Sequence, residues 1–265
     1  MIDLAVLGSG PAGLTAALYA ARAGLSVTVF EKSTFGGALA QIPNIQNFPG
    51  YTGPGADLAA KMQRQAESAG AKFEYLDEPL TQLKNPSDLG ARAVLVATGS
   101  EPIPLSFTPD KPVSYCALCD APLYKGKNIL VVGGGNSAVS ESIHLAEIVG
   151  SLTLVSHSPL KADAALISKL KALKNITIKE NLEVTPDLAN SFDGIFVFIG
   201  KRPAATFLAS SLLDAQGYIT TDTNHMTSTP GIFAAGDVRS GATRQAIAAS
   251  ADGAMAAIAI ANYLK

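Results

Sequence analysis

The sequence predicts an α/β protein built from two three-layer modules of one architecture, the second inserted into the first. Two segments carry this prediction, because each combines a short apolar run, a glycine-rich turn, a helix-forming stretch and a second β-rich run. The first begins with "IDLAVLGSGPAG" and the second contains "NILVVGGGNSAV". Such strand–helix–strand units build the parallel sheet of a Rossmann-like nucleotide-binding domain.

The helix and strand patterns can be placed along the chain in order. The long Ala-rich stretch near the C-terminus predicts a further helix, after a strand and a Gly-Asp turn in "GIFAAGDV". The proline-rich "SEPIPLSFTPDKPVS" and the later "GIFVFIGKRP" mark the entry to and the exit from the second module. We expect a first domain at 1–109 with 200–265, and an inserted domain at 110–199. We expect strands at 3–7, 128–132 and 152–155, and helices at 14–23, 57–69 and 138–148.

Composition limits the class of protein and its partners. The chain has 265 residues, of which 48% are hydrophobic, which suffices for a packed core and excludes disorder. Its net charge is −2, from 20 basic and 22 acidic residues, so nucleic acid and anionic membranes are not expected partners. Asp3 stands where a signal peptide has positive charge, and glycines with Pro11 interrupt the following apolar run. We therefore expect a cytoplasmic protein.

The first glycine-rich turn has the spacing G-x-G-x-x-G, with Gly8, Gly10 and Gly13 between a strand and its helix. Gly8 permits a tight turn, Gly10 lets backbone N–H groups approach a pyrophosphate, and Gly13 lets the helix pack closely on the strand. The helix N-terminus then faces the phosphates. Glu31, at the end of the next strand, can accept hydrogen bonds from a ribose. This segment predicts a site for an adenine dinucleotide.

The second turn offers Gly133, Gly135 and Ala138 as G-x-G-x-x-A, with Asn136 and Ser137 between them. The strand after it is followed by "SHSPLKADA", which holds one lysine and no arginine. NADP needs cationic donors for its 2′-phosphate, and NAD needs a carboxylate for its 2′-hydroxyl. Neither is clearly supplied, so a nucleotide site and a turn retained without its ligand both stay open.

The two cysteines of the chain, Cys116 and Cys119, lie in "YCALCDAP" with Asp120 next to them. Three histidines elsewhere do not supply the ligand set of a structural zinc site, so no metal is expected. Two inert core thiols are one alternative, and a disulfide that opens and closes is the favoured one. Thiol exchange needs a thiolate and a proton donor for the leaving thiolate. Asp120 is a candidate donor, or alternatively a helix cap.

Several segments together resemble one family. They are "GSGPAGLTAALYAARAG", "FGGALAQIPNIQNFPG", "VLVATGS", "SYCALCDAP" and "TPGIFAAGDV", and they resemble the low-molecular-weight thioredoxin reductases. These are FAD-dependent flavoproteins of the pyridine-nucleotide disulfide oxidoreductase superfamily, and the resemblance covers nearly the whole chain. It implies an enzyme that passes electrons from reduced FAD through a dithiol to the disulfide of thioredoxin or a similar protein. It also implies a homodimer.

The resemblance implies roles for individual residues. It puts Glu31 on the FAD ribose, Asn47 near the flavin and Asp237 on the ribityl and phosphate region. A helix beginning near Gln245 would direct its positive end at the flavin. The implied FAD-binding residues are Gly8, Gly10, Pro11, Ala12, Gly13, Glu31, Lys32, Gly37, Asn47, Ala97, Thr98, Gly99, Gly236, Asp237, Arg244, Gln245 and Ala246.

The same resemblance implies the redox roles. Cys119 would face the flavin, Cys116 would attack the disulfide of the partner, and Asp120 would be the acid. In the family the second domain rotates between flavin reduction and exposure of the dithiol. Residues 102–112 and the return near Gly200 are the hinges that this implies.

The chain also departs from the family pattern. NADPH-dependent members carry an arginine-rich stretch where this chain has "SHSPLKAD", two small β-meanders are shortened, and Ala38 replaces an amide that would contact the flavin. Relatives that take electrons from ferredoxin or an unknown donor have reduced nucleotide motifs. The five lysines at 161–180 would suit an acidic ferredoxin, or form a solvated helix face.

We therefore expect FAD as cofactor and a donor other than NADPH, such as ferredoxin. A conventional NADPH-dependent thioredoxin reductase with an altered 2′-phosphate site is the alternative, because "GGGNSA" is retained. A flavin-bound redox sensor whose cysteines do not turn over is a further alternative. A ferredoxin–NADP reductase of similar architecture is disfavoured, because such relatives lack the cysteine pair.

Overall fold

A computed structural model describes residues 2–42, 44–76 and 80–265, with the side chain of Cys119 excepted. The chain forms two compact units, of which unit 1 comprises Met1–Glu101 and Arg202–Lys265 and unit 2 comprises Pro102–Lys201. The sequence had suggested crossings at 109/110 and 199/200. The observed crossings, at 101/102 and 201/202, each fall within a short strand, Ser100–Pro102 and Lys201–Pro203, and these two strands pair with each other. The first crossing therefore precedes most of the proline-rich segment.

The elements are numbered in chain order. The strands are β1 (Ile2–Leu7), β2 (Val27–Glu31), β3 (Ile45–Phe48), β4 (Tyr51–Gly53), β5 (Lys72–Tyr75), β6 (Ala91–Val96), β7 (Ser100–Pro102), β8 (Val113–Ser114), β9 (Asn128–Val132), β10 (Ser151–Ser156), β11 (Ile176–Glu180), β12 (Gly194–Val197), β13 (Lys201–Pro203) and β14 (Ile232–Ala234). The helices are α1 (Pro11–Arg22), α2 (Gly37–Ala40), α3 (Gly55–Ser68), α4 (Ala117–Asp120), α5 (Asn136–Ala146), α6 (Ala164–Lys171), α7 (Pro186–Asn190) and α8 (Ala246–Tyr263).

Unit 1 contains a five-stranded sheet in the order β14-β6-β1-β2-β5, in which all neighbours are parallel. The side chains of a strand alternate between faces, so the apolar run of β1 supplies both layers. Leu4 and Val6 pack under α1, α3 and α8, whereas Ala5 and Leu7 pack under the segment that includes Leu208 and Leu212. The two buried faces explain why β1 is continuously hydrophobic.

Unit 2 repeats this arrangement with a parallel sheet in the order β11-β10-β9-β12-β8. Ile129 and Val131 of β9 face α5, whereas Leu130 and Val132 face α7. The predicted fold class, two Rossmann-like α/β modules, is therefore confirmed.

Several helix boundaries differ from the sequence prediction. α1 begins at Pro11 rather than at residue 14, because proline is favoured in the first helical turn, where its missing N–H costs nothing. α5 begins at Asn136, directly after Gly135. Both helices therefore start within their glycine-rich turns, and the N-terminus of each is part of the loop itself.

α8 is long and apolar enough to span a bilayer by length and composition alone, which is weak evidence for a single helix. In unit 1 it is a core helix. Ala249, Gly253, Ala256 and Ile260 are buried on the face that packs against α1 and the sheet. The small side chains on this face let the two helices approach closely.

Gly253 provides a test of this packing. A Cβ at Gly253 would lie 2.1 Å from the backbone oxygen of Ala12, which cannot move freely because it belongs to α1. Helix propensity alone predicts that Gly253→Ala stabilises the protein by about 1 kcal/mol. We expect overpacking to dominate and to lower the free energy of unfolding by about 1–3 kcal/mol, measured by urea titration. Arg64→Ala, at an exposed position of α3 in the same unit, is the control and should change it little.

Candidate functional site

The first glycine-rich turn has the geometry of a phosphate-binding loop. Gly8 has a φ of +99°, and a Cβ there would lie 2.5 Å from the backbone oxygen of Ala97, while a Cβ at Gly13 would lie 1.9 Å from that of Gly8. Both positions therefore need glycine for packing. A Cβ at Gly10 would meet nothing within 4 Å, so the loop is open on that side. Gly10 is the N-cap of α1 and makes no side-chain capping bond.

Glu31 is buried and anchors this loop to the end of β2. Its Oε2 accepts hydrogen bonds from the backbone N–H of Ser9 at 3.0 Å and from the Ser9 hydroxyl at 2.6 Å. Its Oε1 accepts from the backbone N–H groups of Lys32 and Ser33 at 2.9 and 3.1 Å. Ser9 was not predicted as a site residue, although its place inside the G-x-G motif was the available signal. The Lys32 side chain forms an exposed ion pair with Glu101.

Two further predicted segments lie beside the loop. A Cβ at Gly37 would lie 3.4 Å from the Cα of Gly10, and the adjacent Gly36 N–H donates to the backbone oxygen of Ser9 at 3.1 Å. The Ala97 N–H donates to the backbone oxygen of Leu7 at 2.8 Å. These contacts bring the "FGG" and "VATG" segments to the carboxyl end of β1.

Thr98 and Gly99, which end the "VATG" segment, bond to the chain after its return from unit 2. The Thr98 hydroxyl donates to the backbone oxygen of Ala204 at 2.6 Å, and the Ala204 N–H donates to the oxygen of Gly99 at 3.0 Å. Gly99 has a φ of +68°, which glycine adopts readily. The "VATG" segment is thus held within unit 1 by two hydrogen bonds to the backbone of Ala204.

A pocket of about 490 Å³ is lined by four of the predicted FAD-binding residues, Asn47, Arg244, Gln245 and Ala246. The Asn47 amide donates to Gln245 Oε1 at 3.0 Å. The guanidinium of Arg244 stacks on the ring of Tyr218, 4.9 Å from its centre, and also donates to its hydroxyl. α8 begins at Ala246 with Gln245 as N-cap, which is the predicted start of this helix. Tyr218 had no signal in the sequence.

The second glycine-rich turn has a similar backbone. Gly133 has a φ of +142°, and a Cβ there would lie 2.4 Å from the backbone oxygen of Phe198. Gly135 caps α5 and is open, Ser137 is exposed, and Ala138 is buried in the third motif position. The turn therefore retains the shape of a nucleotide loop.

The loop after β10 is bonded to this second turn. The Lys161 N–H donates to the backbone oxygen of Gly134 at 2.8 Å. The Asn136 amide donates to Asp163 Oδ2 at 3.2 Å, and the Asp163 N–H donates to Asn136 Oδ1 at 2.8 Å. An acidic side chain therefore lies beside the start of α5.

Cys116 lies at the start of the short helix α4 and is disulfide-bonded. Its backbone N–H donates to the Ser114 hydroxyl at 3.1 Å, and its carbonyl accepts from the Asp120 N–H at 3.2 Å. The side chain of Cys119, its predicted partner, lies outside the described residues. Ala117 and Ala121 are fully buried in the core of unit 2, so the cysteine segment has a fixed base.

Asp120 lies within electrostatic reach of a partly buried phenol. Burial raises the pKa of Tyr124, and the negative charge of Asp120 raises it further. The Tyr124 ring packs edge-on against Phe196, with 5.2 Å between ring centres, and fills the space left by Gly194. Tyr124 is therefore a neutral neighbour of the predicted acid.

The residues of unit 1 fit an adenine dinucleotide with a flavin. The open Gly10 and the N-terminus of α1 can receive a pyrophosphate, because unpaired N–H groups and the helix dipole favour anions. The pocket at Asn47 and Gln245 offers amide donors and acceptors, which flavin ring atoms require. Bound FAD would supply reversible two-electron transfer.

A family model described as pyridine nucleotide-disulphide oxidoreductase matches residues 2–253. The chain belongs to this family. The thioredoxin reductase of Bacillus subtilis (strain 168) is 34% identical, over 99% of this chain and 95% of that relative. The "34.2 kDa protein in rubredoxin operon" of Clostridium pasteurianum is 35% identical, over 99% and 97%. The crystal structure of Lactococcus lactis thioredoxin reductase, 31% identical, has a TM-score of 0.85 and covers 100% of this chain and 99% of that one.

This pyridine nucleotide-disulphide oxidoreductase is thus a flavoprotein of the thioredoxin-reductase type. Its cofactor is FAD, and its reaction is an oxidoreduction at a disulfide. The family resemblance, the enzyme class and the cofactor predicted from the sequence are confirmed. The roles of the individual site residues stay predictions.

Glu31→Ala tests the anchor of the first glycine loop. The change leaves the buried Ser9 N–H without its acceptor, which costs about 1–3 kcal/mol, and removes the predicted ribose acceptor. We expect the dissociation constant for FAD to rise about tenfold or more, measured by fluorescence titration of the flavin-free protein. Glu67→Ala, which removes an exposed carboxylate from α3 of the same unit, is the control. Unchanged FAD affinity in Glu31→Ala would contradict the prediction.

Proposed function

We propose that this flavoprotein reduces the disulfide of a thioredoxin-like protein, with Cys116 and Cys119 as its redox pair and a donor other than NADPH. The donor that we favour is a reduced ferredoxin. Unit 1 would bind FAD, and unit 2 would carry the redox disulfide. The observation that carries the donor proposal is the arginine-free loop at the end of β10, which includes the carboxylate of Asp163 and lies beside that of Glu180.

The exchange step balances as two thiol–disulfide substitutions. After the Cys116–Cys119 disulfide has taken up two electrons and two protons, the Cys116 thiolate attacks one sulfur of the partner disulfide. A mixed disulfide forms and one partner thiolate leaves, taking a proton for which Asp120 is the proposed donor. The Cys119 thiolate then attacks Cys116 and releases the second partner thiol. The enzyme disulfide is restored and the partner is reduced.

The surroundings of β10 argue against a 2′-phosphate. Ser156, the last residue of β10, is in register with Glu180 of β11. Glu180 Oε1 accepts the Leu160 N–H at 2.7 Å, and so occupies a loop donor while adding a negative charge. Asp163 adds a second carboxylate beside Asn136. A phosphate dianion would meet like charge there, whereas NADP sites supply arginine or lysine.

A basic segment supports an acidic protein as donor. Lys169 and Lys171 lie in the last turn of α6, and Lys174 follows in the loop. All three are exposed. Lysines at a helix C-terminus also interact favourably with the helix dipole, which by itself would account for two of them. Opposite charge accelerates association of electron-transfer partners, because it steers their diffusional encounter.

One relative is described as a protein of the rubredoxin operon. Its sequence covers this chain almost end to end, so the comparison includes both units. This supports a small protein carrier as donor, because genes of one operon commonly serve one process.

The second candidate function is a conventional NADPH-dependent thioredoxin reductase. The retained shape of the turn at Gly133 and Gly135 favours it, as does the open N-terminus of α5. In this case Lys161 would be the main cation for the 2′-phosphate. The two candidates share the disulfide chemistry and differ in what reduces the flavin.

A homodimer in the cytoplasm completes the proposal. Ile247, Met255 and Ile258 are 42%, 54% and 54% exposed on one side of α8, and Tyr19 of α1 is 45% exposed. Exposed apolar side chains grouped on core helices are typical of a subunit interface. A reducing compartment suits a disulfide that must open in each turnover.

The identity of the electron donor is tested by anaerobic reduction of the flavin, followed at its absorption band at about 450 nm. We expect reduced ferredoxin to bleach this band rapidly and micromolar NADPH to leave it nearly unchanged. In the variant His157→Arg/Ser158→Arg, the rate of flavin reduction by NADPH should rise at least about tenfold, because the two guanidiniums pair with the 2′-phosphate. NADH, which lacks that phosphate, is the internal control. Rapid bleaching of the parent protein by NADPH would favour the second candidate.

The basic segment is tested by charge reversal. Lys171→Glu/Lys174→Glu should slow reduction by ferredoxin by about tenfold at low ionic strength, and the difference should shrink at high salt because surface charges are screened. The control is Lys125→Glu/Lys127→Glu, which changes the net charge of unit 2 by the same amount at two other exposed positions. Stopped-flow traces of the two variants should differ. Equal rates would exclude this segment as the landing surface.

A further inference from the structure

The turn Gly236–Val238 follows β14 and carries Asp237, the predicted ligand of the FAD ribityl and phosphate region. Gly236 has a φ of +77°, and a Cβ there would lie 2.9 Å from the Cβ of Ala12 in the first turn of α1. The turn therefore lies against the helix whose N-terminus fits the pyrophosphate. A shift of the turn would change the spacing between two parts of the cofactor site.

Asp252 of α8 holds this turn by its backbone. Its Oδ2 accepts the Gly236 N–H at 3.2 Å. Arg239 binds the same carboxylate with two donors, Nε to Oδ2 at 3.2 Å and Nη2 to Oδ1 at 3.3 Å. The third nitrogen, Nη1, donates to the Thr221 hydroxyl at 3.2 Å. The carboxylate of Asp252 thus connects α8 to the turn, and through Arg239 to the segment before β14.

This ion pair is largely removed from solvent. The side chains of Arg239 and Asp252 are 22% and 18% exposed, against 48% and 25% for the pair of Arg92 with Asp3 in the same unit. Two parallel N–H···O bonds fix the orientation of a carboxylate as well as its charge. Screening by salt is weaker for such a pair than for one at the surface.

His225 does not compete for Asp252 as a cation. It is buried, and burial lowers its pKa, which the positive charge of Arg239 lowers further. Its Nδ1 lies 3.3 Å from the backbone oxygen of Ala234. His225 is therefore neutral at neutral pH, and Arg239 is the cation that meets the carboxylate.

Asp252 is itself held in place by its neighbour. Gly253 packs against the backbone of Ala12, so α8 cannot slide along α1 without a collision. Ala12 is also the residue that the Gly236 turn contacts. The position of the Gly236 turn and the position of Asp252, which bonds to it, are therefore both fixed by packing against Ala12 of α1.

We propose that Asp252 and Arg239 are positioning residues for FAD, which hold the Gly236 turn at the spacing from α1 that the bound cofactor requires. The acceptor that Asp252 offers to the Gly236 N–H is the essential contact, and Arg239 orients it. The proposal rests on the proposed role of Asp237 in the FAD site.

Two double variants separate positioning from general stability. Asp252→Asn/Arg239→Met and Asp252→Leu/Arg239→Met both remove the buried charges together, so neither leaves an unpaired ion. Only the asparagine keeps an oxygen acceptor for the Gly236 N–H. We expect both flavin-free proteins to be folded without urea, and the leucine variant to unfold at a lower urea concentration because the Gly236 N–H loses its acceptor. The dissociation constant for FAD should be at least about tenfold higher for the leucine variant.

The control is the ion pair of Asp3 with Arg92 in unit 1, changed as Asp3→Asn/Arg92→Met. It should leave FAD affinity unchanged. Should the leucine variant fail to fold, Asp252→Ala/Arg239→Met removes the same acceptor without added bulk and gives the same comparison. Equal FAD affinity of the variants with and without the acceptor would overturn the proposal. Failure of the parent protein to bind FAD would instead contradict the cofactor site itself.

Discussion

Unit 1 depends on backbone contacts at the start of α1 that leave no room for side chains. The Gly13 Cα faces the backbone oxygen of Gly8, and the Gly253 Cα faces that of Ala12. Gly236 packs against the same turn of α1. The loop, the last helix and the turn after β14 therefore meet at one place, and each would be displaced by a single added carbon. This explains how distant segments of the chain can form one cofactor site.

Unit 2 uses the same constraint with different chemistry around it. Gly133 approaches the backbone oxygen of Phe198 much as Gly8 approaches that of Ala97. The shape of a nucleotide loop is thus a packing requirement of the fold and does not by itself identify a ligand. Ligand choice depends on the loop after β10, where Glu180 bonds to the backbone and no arginine is present. The glycine pattern of the second turn therefore does not identify the electron donor.

The disulfide segment combines a rigid base with an accessible tip. Ala117 and Ala121 anchor it in the core, while Cys116 is partly exposed. In the proposed exchange a partner disulfide would have to reach Cys116, whereas the segment would have to stay in place while its bond opens and closes. A four-residue helix on a buried face meets both requirements.

The sequence by itself determined the fold class and the two glycine loops, because these follow from local patterns of apolar residues and glycines. Its resemblance to the thioredoxin reductases indicated the family and FAD, and it located the cysteine pair for which a redox role is proposed. Only the tertiary structure revealed the partners of isolated polar residues: Ser9 on Glu31, Tyr218 on Arg244, and Asp252 on the Gly236 turn. The crossings at 101/102 and 201/202 likewise fall within the paired strands β7 and β13. Such contacts join residues far apart in the chain, and no local periodicity encodes them.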